Sequence, residues 1–175
     1  MVLASNGVNV EIRRITVEDI EKDSSADLVR EWAELAQRVW GQPPFNEVWT
    51  LDYRIAMIPI RLGKPGAIAL LAFEQDEIVG YVWGEYMSLD EAIELAGDDS
   101  QILQQFFAES PVSWWGDGLC VSPQHEGKGI ASRLMERLIQ ELEKEQQELA
   151  QARDSFALKV NDELKDISGK LDTLL

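Results

Sequence analysis

The chain has 175 residues, of which 45% are apolar, so it can bury one sizeable core and is expected to form one domain. Its 32 acidic residues against 16 basic ones give a formal net charge of −16, which disfavours nucleic acid and anionic membranes as partners. No apolar run reaches membrane-spanning length and the N-terminus has no secretory pattern, so a cytoplasmic location is expected. The acidic excess is also accounted for by solubility alone.

The N-terminal part predicts a strand followed by a helix with one buried face. Residues 8–15 alternate apolar and polar side chains, as in a half-buried strand. Thr16, with Asp19 three residues later, has the pattern of a capping box at a helix N-terminus. The next apolar residues recur at steps of three and four and indicate one helical face: Leu28, Trp32, Leu35 and Val39.

The middle of the chain predicts an antiparallel hairpin and a helical insertion. A second apolar segment covers residues 48–62. Two strands are expected at 67–73 and 78–86, joined by a short polar turn. Ser88, followed three residues later by Glu91, predicts another capping box, and the helix that it opens is expected to extend towards Ala108.

The most informative stretch runs from an apolar strand at 113–121 through a glycine-rich turn into an amphipathic helix that begins at Ile130. The first turn of a helix has N–H groups without internal partners, and glycines let an anion approach them. The helix dipole adds to the attraction. This junction therefore predicts a phosphate-binding turn.

The strand, turn and helix resemble the GNAT superfamily of acyl-CoA-dependent N-acetyltransferases, whose signature [QR]-x-x-G-x-[GA] follows a strand ending in V-x-P. Two registers are possible. Gln124–Gly129 matches the letters, whereas Glu126–Ala131 matches the usual distance from Val121, with Glu126 replacing Gln or Arg. We prefer the second register, because the distance from strand to helix fixes where the phosphates lie.

The resemblance implies an α+β fold with a mixed, mostly antiparallel sheet flanked by helices, and coenzyme A as the bound cosubstrate. The N–H groups of residues 127–132 would hold its pyrophosphate, and Leu119 and Val121 would bond to its pantetheine arm. The implied cofactor-binding residues are Leu119, Cys120, Val121, Glu126, Gly127, Lys128, Gly129, Ile130, Ala131 and Ser132.

The C-terminal part after an acyltransferase body of residues 1–150 has two interpretations. Phe156–Val160 as a strand and Asp162–Leu175 as a helix would agree with the family. Apolar steps of three and four, with no Gly or Pro between Gly129 and Gly169, would instead make one long helix. We favour strand plus helix, since the family admits coenzyme A between two parallel strands. In both cases the family's final hairpin is missing.

The resemblance implies direct acetyl transfer, which requires a base for the amine. Asp117 on the cofactor strand and Glu85 on the adjacent hairpin strand are the candidate catalytic residues. Both are equally compatible with ordinary solvated carboxylates. Gly116 and Gly118 flank Asp117 and predict a β-bulge.

Other reactive side chains are few. The family's usual acid, a Tyr after the cofactor helix, is missing, so Tyr81, Tyr86 or release of free thiolate would replace it. His125 is the sole histidine, so a histidine metal cluster is excluded. Its position in the turn predicts an exposed side chain. Cys120, the single cysteine, is expected to be a buried hydrophobe and not a nucleophile.

The prediction is an N-acetyltransferase that moves acetyl from acetyl-CoA to a primary amine of a small molecule or protein, without a metal. The acidic composition is compatible with a cationic amine. The alternative is a degenerate, non-catalytic acyl-CoA-binding or protein-interaction module that assembles through its C-terminal helix. A homodimer is possible in either case, and no nucleic acid or membrane partner is expected.

Overall fold

The computed structural model describes residues 9–22, 25–96, 103–105, 107–108 and 112–172. The helix predicted after Ser88 is present at Leu89–Ala96, and residues 97–102 and 106 of its predicted course towards Ala108 lie outside the described residues. The elements in chain order are β1 (Glu11–Ile15), α1 (Val17–Glu21), α2 (Ser25–Trp40), α3 (Leu51–Leu62), β2 (Ile68–Glu74), β3 (Glu77–Ser88), α4 (Leu89–Ala96), β4 (Val112–Val121), a 3₁₀ turn (Pro123–His125) and α5 (Ile130–Asp172).

The four strands form one antiparallel sheet in the order β1-β2-β3-β4. The turn between β2 and β3 consists of Gln75 and Asp76, whose φ values of 50° and 70° fit a tight hairpin turn. The sheet and its flanking helices confirm the predicted α+β fold and the hairpin. In the described part of the chain, β4 is paired through one edge alone.

One face of the sheet packs against α2 and α3. The stripe predicted on α2 is confirmed, because Trp32 and Leu35 are fully buried and Leu28 and Val39 pack at its margins. Trp32 meets the ring of Trp83 on β3 edge to face, with 5.1 Å between the ring centroids. Both predicted capping boxes are also present, at Thr16 and Ser88.

The other face of the sheet receives the beginning of α5. A Cβ atom on Gly80 of β3 would lie 3.4 Å from side-chain atoms of Ile130 and Leu134 and 3.0 Å from the Cys120 carbonyl oxygen. The missing side chain therefore lets α5 lie directly on the sheet. This contact fixes the start of α5 beside the end of β4.

The favoured strand at Phe156–Val160 was wrong, because α5 is one helix from Ile130 to Asp172. Regular apolar spacing and the absence of a helix breaker outweighed the single β-branched residue of this run, Val160. Leu149 of α5 is 63% exposed. The chain divides into two compact units, Met1–Leu138 and Ile139–Leu175. None of the described helices has the length and apolar character needed to cross a membrane.

Two glycines near the end of α3 are expected to differ sharply in their tolerance of substitution. Gly66 has φ +70°, and a Cβ there would lie 2.2 Å from the Tyr86 ring, whereas Gly63 has helical angles and a nearest contact of 3.4 Å. Gly66→Ala should lower the free energy of unfolding by about 2 kcal/mol or more. Gly63→Ala should change it by less than about 1 kcal/mol, and urea denaturation measures both. Equal effects would contradict this description of the turn.

Candidate functional site

The turn after β4 is organised by short backbone hydrogen bonds and two left-handed glycines. The Ser122 N–H donates to the Val79 carbonyl at 2.8 Å, and the His125 N–H donates to the Ser122 carbonyl at 2.8 Å. Gly127 and Gly129 have φ values of 72° and 75°. Residues with a Cβ rarely adopt these angles, so the two glycines allow the chain to enter α5 without strain.

The turn forms an open cradle at the N-terminus of α5. A Cβ added to Gly127 or Gly129 would have no atom within 4 Å, so the space over both glycines is open. The first helical bond runs from the Arg133 N–H to the Gly129 carbonyl at 3.1 Å. The N–H groups of residues 130–132 precede that bond and are the donors that a helix start offers to an anion. This geometry fits the pyrophosphate of coenzyme A.

The open edge of β4 offers backbone groups next to this cradle. The bond from Ser122 to Val79 on β3 makes this a hydrogen-bonded pair of the antiparallel ladder. By the alternation of such ladders, Cys120 also bonds towards β3, whereas Leu119 and Val121 direct their N–H and C=O groups to the other edge. These are the two residues that the sequence singled out for the pantetheine arm. Leu119 is also partly exposed.

His125 was predicted to be exposed, and this was wrong, because the residue is only 8% exposed. Its Nε2 lies 2.8 Å from Oε2 of Glu74 at the end of β2. The two residues are far apart in sequence, and nothing in the local pattern around the turn indicates the pair. The contact anchors the 3₁₀ turn to the hairpin and so helps to fix the cradle in place.

The predicted bulge on β4 is present. Gly118 pairs with Trp83 and Gly116 pairs with Gly84, so Asp117 is the extra residue, opposite no single partner. The bulge bends the strand next to the segment that faces the open edge. Asp117 therefore occupies an irregular backbone position, as the flanking glycines suggested.

Glu85, the other candidate base, lies in a buried ion-pair cluster. The residue is 2% exposed, and its Oε1 accepts hydrogen bonds from Arg61 Nη2 at 2.8 Å and Lys64 Nζ at 3.1 Å. Its Oε2 is buried and has no hydrogen-bond partner among the described residues. Two cations thus hold Glu85 through Oε1. The structure does not make this carboxylate accessible to solvent.

A pocket of about 300 Å³ opens between α2, α3 and β3. Its lining is half aromatic: Trp32, Ala36, Trp40, Glu47, Trp49, Tyr53, Arg54, Met57, Ile58, Arg61, Tyr81 and Trp83. The Trp40 Nε1–H donates to the Tyr81 hydroxyl at 2.7 Å. Trp40, Trp49 and Trp83, which come from three separate parts of the chain, thus line one cavity. The sequence pattern of α3 and of the segment before it does not indicate that they share a cavity with α2 and β3.

Two residues that line the pocket lie next to Gly118 of the cofactor strand. A Cβ on Gly118 would lie 3.2 Å from Cε2 of Tyr81 and 3.4 Å from Nε1 of Trp83. The wall formed by these two side chains is therefore close to β4, one residue from the bulge.

Cys120 lies on the pocket face of β4 but is chemically inert. Burial raises the pKa of its thiol to about 12, although a hydrogen bond with Tyr81 acts in the opposite direction. At neutral pH the sulfur is therefore protonated and a poor nucleophile. This agrees with the expectation of a small buried hydrophobe.

Comparison with known proteins identifies the class. The sequence profile of the acetyltransferase (GNAT) family matches residues 26–155, and the chain belongs to this family. No curated sequence matches it.

Similar solved structures include an aminoglycoside acetyltransferase, meta-AAC0020, from an uncultured soil metagenomic sample, with 14% identity over 78% of this chain and 71% of that chain and a TM-score of 0.49. A ribosomal-protein-alanine N-acetyltransferase from Brucella melitensis biovar Abortus 2308 has 20% identity over 77% and 72% of the two chains and a TM-score of 0.47. The aminoglycoside N-acetyltransferase AAC(6')-Iy, in complex with CoA, has 17% identity over 82% and 75% and a TM-score of 0.49.

A side chain at Gly129 should abolish coenzyme A binding. Gly129→Val places a β-branched group in the open cradle and forces a left-handed φ on it. We expect loss of measurable affinity by calorimetry, an intermediate loss for Gly129→Ala, and a melting temperature that shows a folded domain for both. Unchanged affinity in the two variants would contradict the assignment of the turn.

Proposed function

We propose that the protein transfers an acetyl group from acetyl-CoA to a primary amine. The observation that carries this proposal is the open glycine cradle at Gly127 and Gly129, which directly follows an unpaired edge of the described sheet. A pyrophosphate needs several convergent N–H donors, and an extended thioester arm needs a free strand edge. The segment from Leu119 to Ser132 offers both the free strand edge and the N–H donors.

The cofactor residues follow from this arrangement. The N–H groups of residues 127–132 would hold the pyrophosphate, and the outward backbone groups of Leu119 and Val121 would align the pantetheine arm. Glu126 and Lys128 are exposed on the rim of the cradle, and Cys120 and Ile130 are buried. Bound acetyl-CoA would supply an activated acetyl thioester.

The acceptor amine would enter the pocket between α2, α3 and β3. The side chains of Tyr81 and Trp83 lie next to Gly118. A molecule in the pocket would therefore lie close to the part of β4 whose open edge would hold the thioester arm. Direct transfer follows as the mechanism, because the protonated Cys120 thiol is not suited to form an acyl intermediate.

For the proton on the amine, we assign Asp117 as the general base, because it is the bulge residue beside Gly118. Glu85 would act by holding Arg61, which lines the pocket. Tyr81 is the better placed of the two tyrosines considered for protonating the thiolate, because it lines the pocket. Tyr86 lies on the opposite face of β3 by strand alternation.

The decisive experiment measures cofactor binding and turnover separately. Coenzyme A at a hundredfold excess over its dissociation constant should stabilise the fold by about 2.7 kcal/mol. A discontinuous assay for acetylated product, across primary amines of different size and charge, should then show acetyl-CoA-dependent transfer. Absence of both a thermal shift at millimolar coenzyme A and any product would overturn the proposal.

The base assignment predicts different behaviour for two carboxamide variants. Asp117→Asn should lower kcat by about a hundredfold to ten-thousandfold, remove the acidic limb of the kcat/KM profile, and leave the dissociation constant of coenzyme A unchanged. Glu85→Gln breaks a buried ion pair, so it should reduce the free energy of unfolding by several kcal/mol. The acidic limb of the kcat/KM profile should remain in the Glu85→Gln variant.

Melting temperatures of both variants separate a loss of fold from a loss of base. If Glu85→Gln alone removes the acidic limb, Oε2 of Glu85 is the base and Asp117 is not. If neither variant changes the rate by more than a few fold, the amine arrives already deprotonated and no carboxylate acts as base.

A second candidate function is acyl-CoA binding without turnover. The observation in its favour is that Phe156–Val160 are helical and not the strand expected to face the cofactor. On α5, Leu149 and Phe156 are exposed and seven residues apart, as on one face of a helix available for assembly. Coenzyme A binding without product in any amine assay would select this candidate.

A further inference from the structure

The pocket next to β4 has walls that select strongly among amines. Four tryptophans and two tyrosines line it, and its volume of about 300 Å³ lies at the low end of small-molecule sites. Such walls bind flat apolar groups by burial and by ring contacts. The volume suits one ring system and a short amine arm.

The charges in the pocket disfavour an acceptor with several ammonium groups. Among the described lining residues, Glu47 is the one carboxylate, and its Oε2 is held by Arg54 Nη2 at 2.7 Å. The second guanidinium of the lining, that of Arg61, is bonded to Glu85 beneath the pocket. Both guanidinium charges are thus matched, and the described lining offers a polycation no unpaired carboxylate to replace the water that it would lose on entering the pocket.

The mouth of the pocket presents a flat aromatic surface to solvent. Trp49 is 50% exposed and stacks on Tyr53, with 4.8 Å between the ring centroids and an angle of 14° between the planes. Deeper in the pocket, Arg61 lies over the Trp83 ring at 4.8 Å. The free aromatic surface is thus at the entrance, where a ring of the acceptor would cover it.

From these contacts we propose that the acceptor is a primary monoamine carried on an aromatic ring, and not a polycationic amine. The ring would lie among the pocket aromatics near Trp49 and Tyr53, with the amine directed towards Gly118 on β4. The assignment of this pocket to the acceptor rests on the proposed acetyl transfer. The chemical preference of the pocket does not, because it follows from the lining alone.

The first test compares three amines as acetyl acceptors for the full chain: 2-phenylethylamine, propylamine and spermidine. Burial of the phenyl ring should raise kcat/KM by about 30-fold over propylamine. Spermidine should be the poorer substrate in spite of its greater charge. A preference for spermidine, or equal rates for the two monoamines, would overturn the inference while leaving acetyl transfer intact.

The second test measures binding by quenching of the pocket tryptophans, without acetyl-CoA. If no amine is acetylated but 2-phenylethylamine binds at least tenfold more tightly than spermidine and propylamine, the proposed function fails and the chemical preference of the pocket stands. If the three amines bind equally or not at all, the preference is wrong whatever the turnover result.

Variants at the mouth connect this binding to the pocket. Trp49→Ala should weaken 2-phenylethylamine binding by about tenfold. Ile60→Ala is the matched control, since Ile60 is an exposed apolar residue of α3 that does not line the pocket. Arg54→Gln should tighten spermidine binding, because it releases the Glu47 carboxylate. Equal effects of the Trp49 and Ile60 substitutions, or weaker spermidine binding in Arg54→Gln, would overturn the inference.

Discussion

The close contact between Gly80 and the first turns of α5 is the constraint on which the cofactor site depends. Because β3 has no side chain at this position, Ile130 and Leu134 lie directly on the sheet. The helix N-terminus is then held next to the end of β4, and the eight residues between β4 and α5 must turn tightly. Left-handed glycines at 127 and 129 meet that demand, and the same glycines leave the cradle open. The close packing of α5 on the sheet therefore also explains why the turn has the glycines that leave room for an anion.

Electrostatics organises the other side of the sheet. The ion pair between Arg54 and Glu47 and the cluster of Glu85 with Arg61 and Lys64 each place a guanidinium in or near the pocket with its charge already matched. Removing one partner of such a half-buried pair leaves the other charge uncompensated. These carboxylates therefore fix the positions of the arginines in the pocket wall.

The sequence predicted those features that local chemistry determines. The hairpin, both capping boxes, the buried face of α2 and the bulge at Asp117 depend on residues close together in the chain, and all are present. The helix over 156–160 was not favoured, because a short apolar run is compatible with a strand or a helix until its neighbours are considered. The contact of His125 with Glu74 joins residues 51 positions apart, and local pattern contains no information on such pairs. The pocket lining was missed for the same reason.

Successive residues of β4 direct their backbone groups alternately towards β3 and towards the open edge. Cys120 and Gly118 are the ladder partners of Tyr81 and Trp83, two residues that line the pocket. Leu119 and Val121 alternate with them and turn their backbone groups to the open edge. Under the proposed acetyl transfer, the thioester arm would lie along the open edge of β4, beside the face that carries Tyr81 and Trp83, where Gly118 adds no side chain. The bulge at Asp117 shifts the alternation of side chains along β4 by one residue next to Gly118.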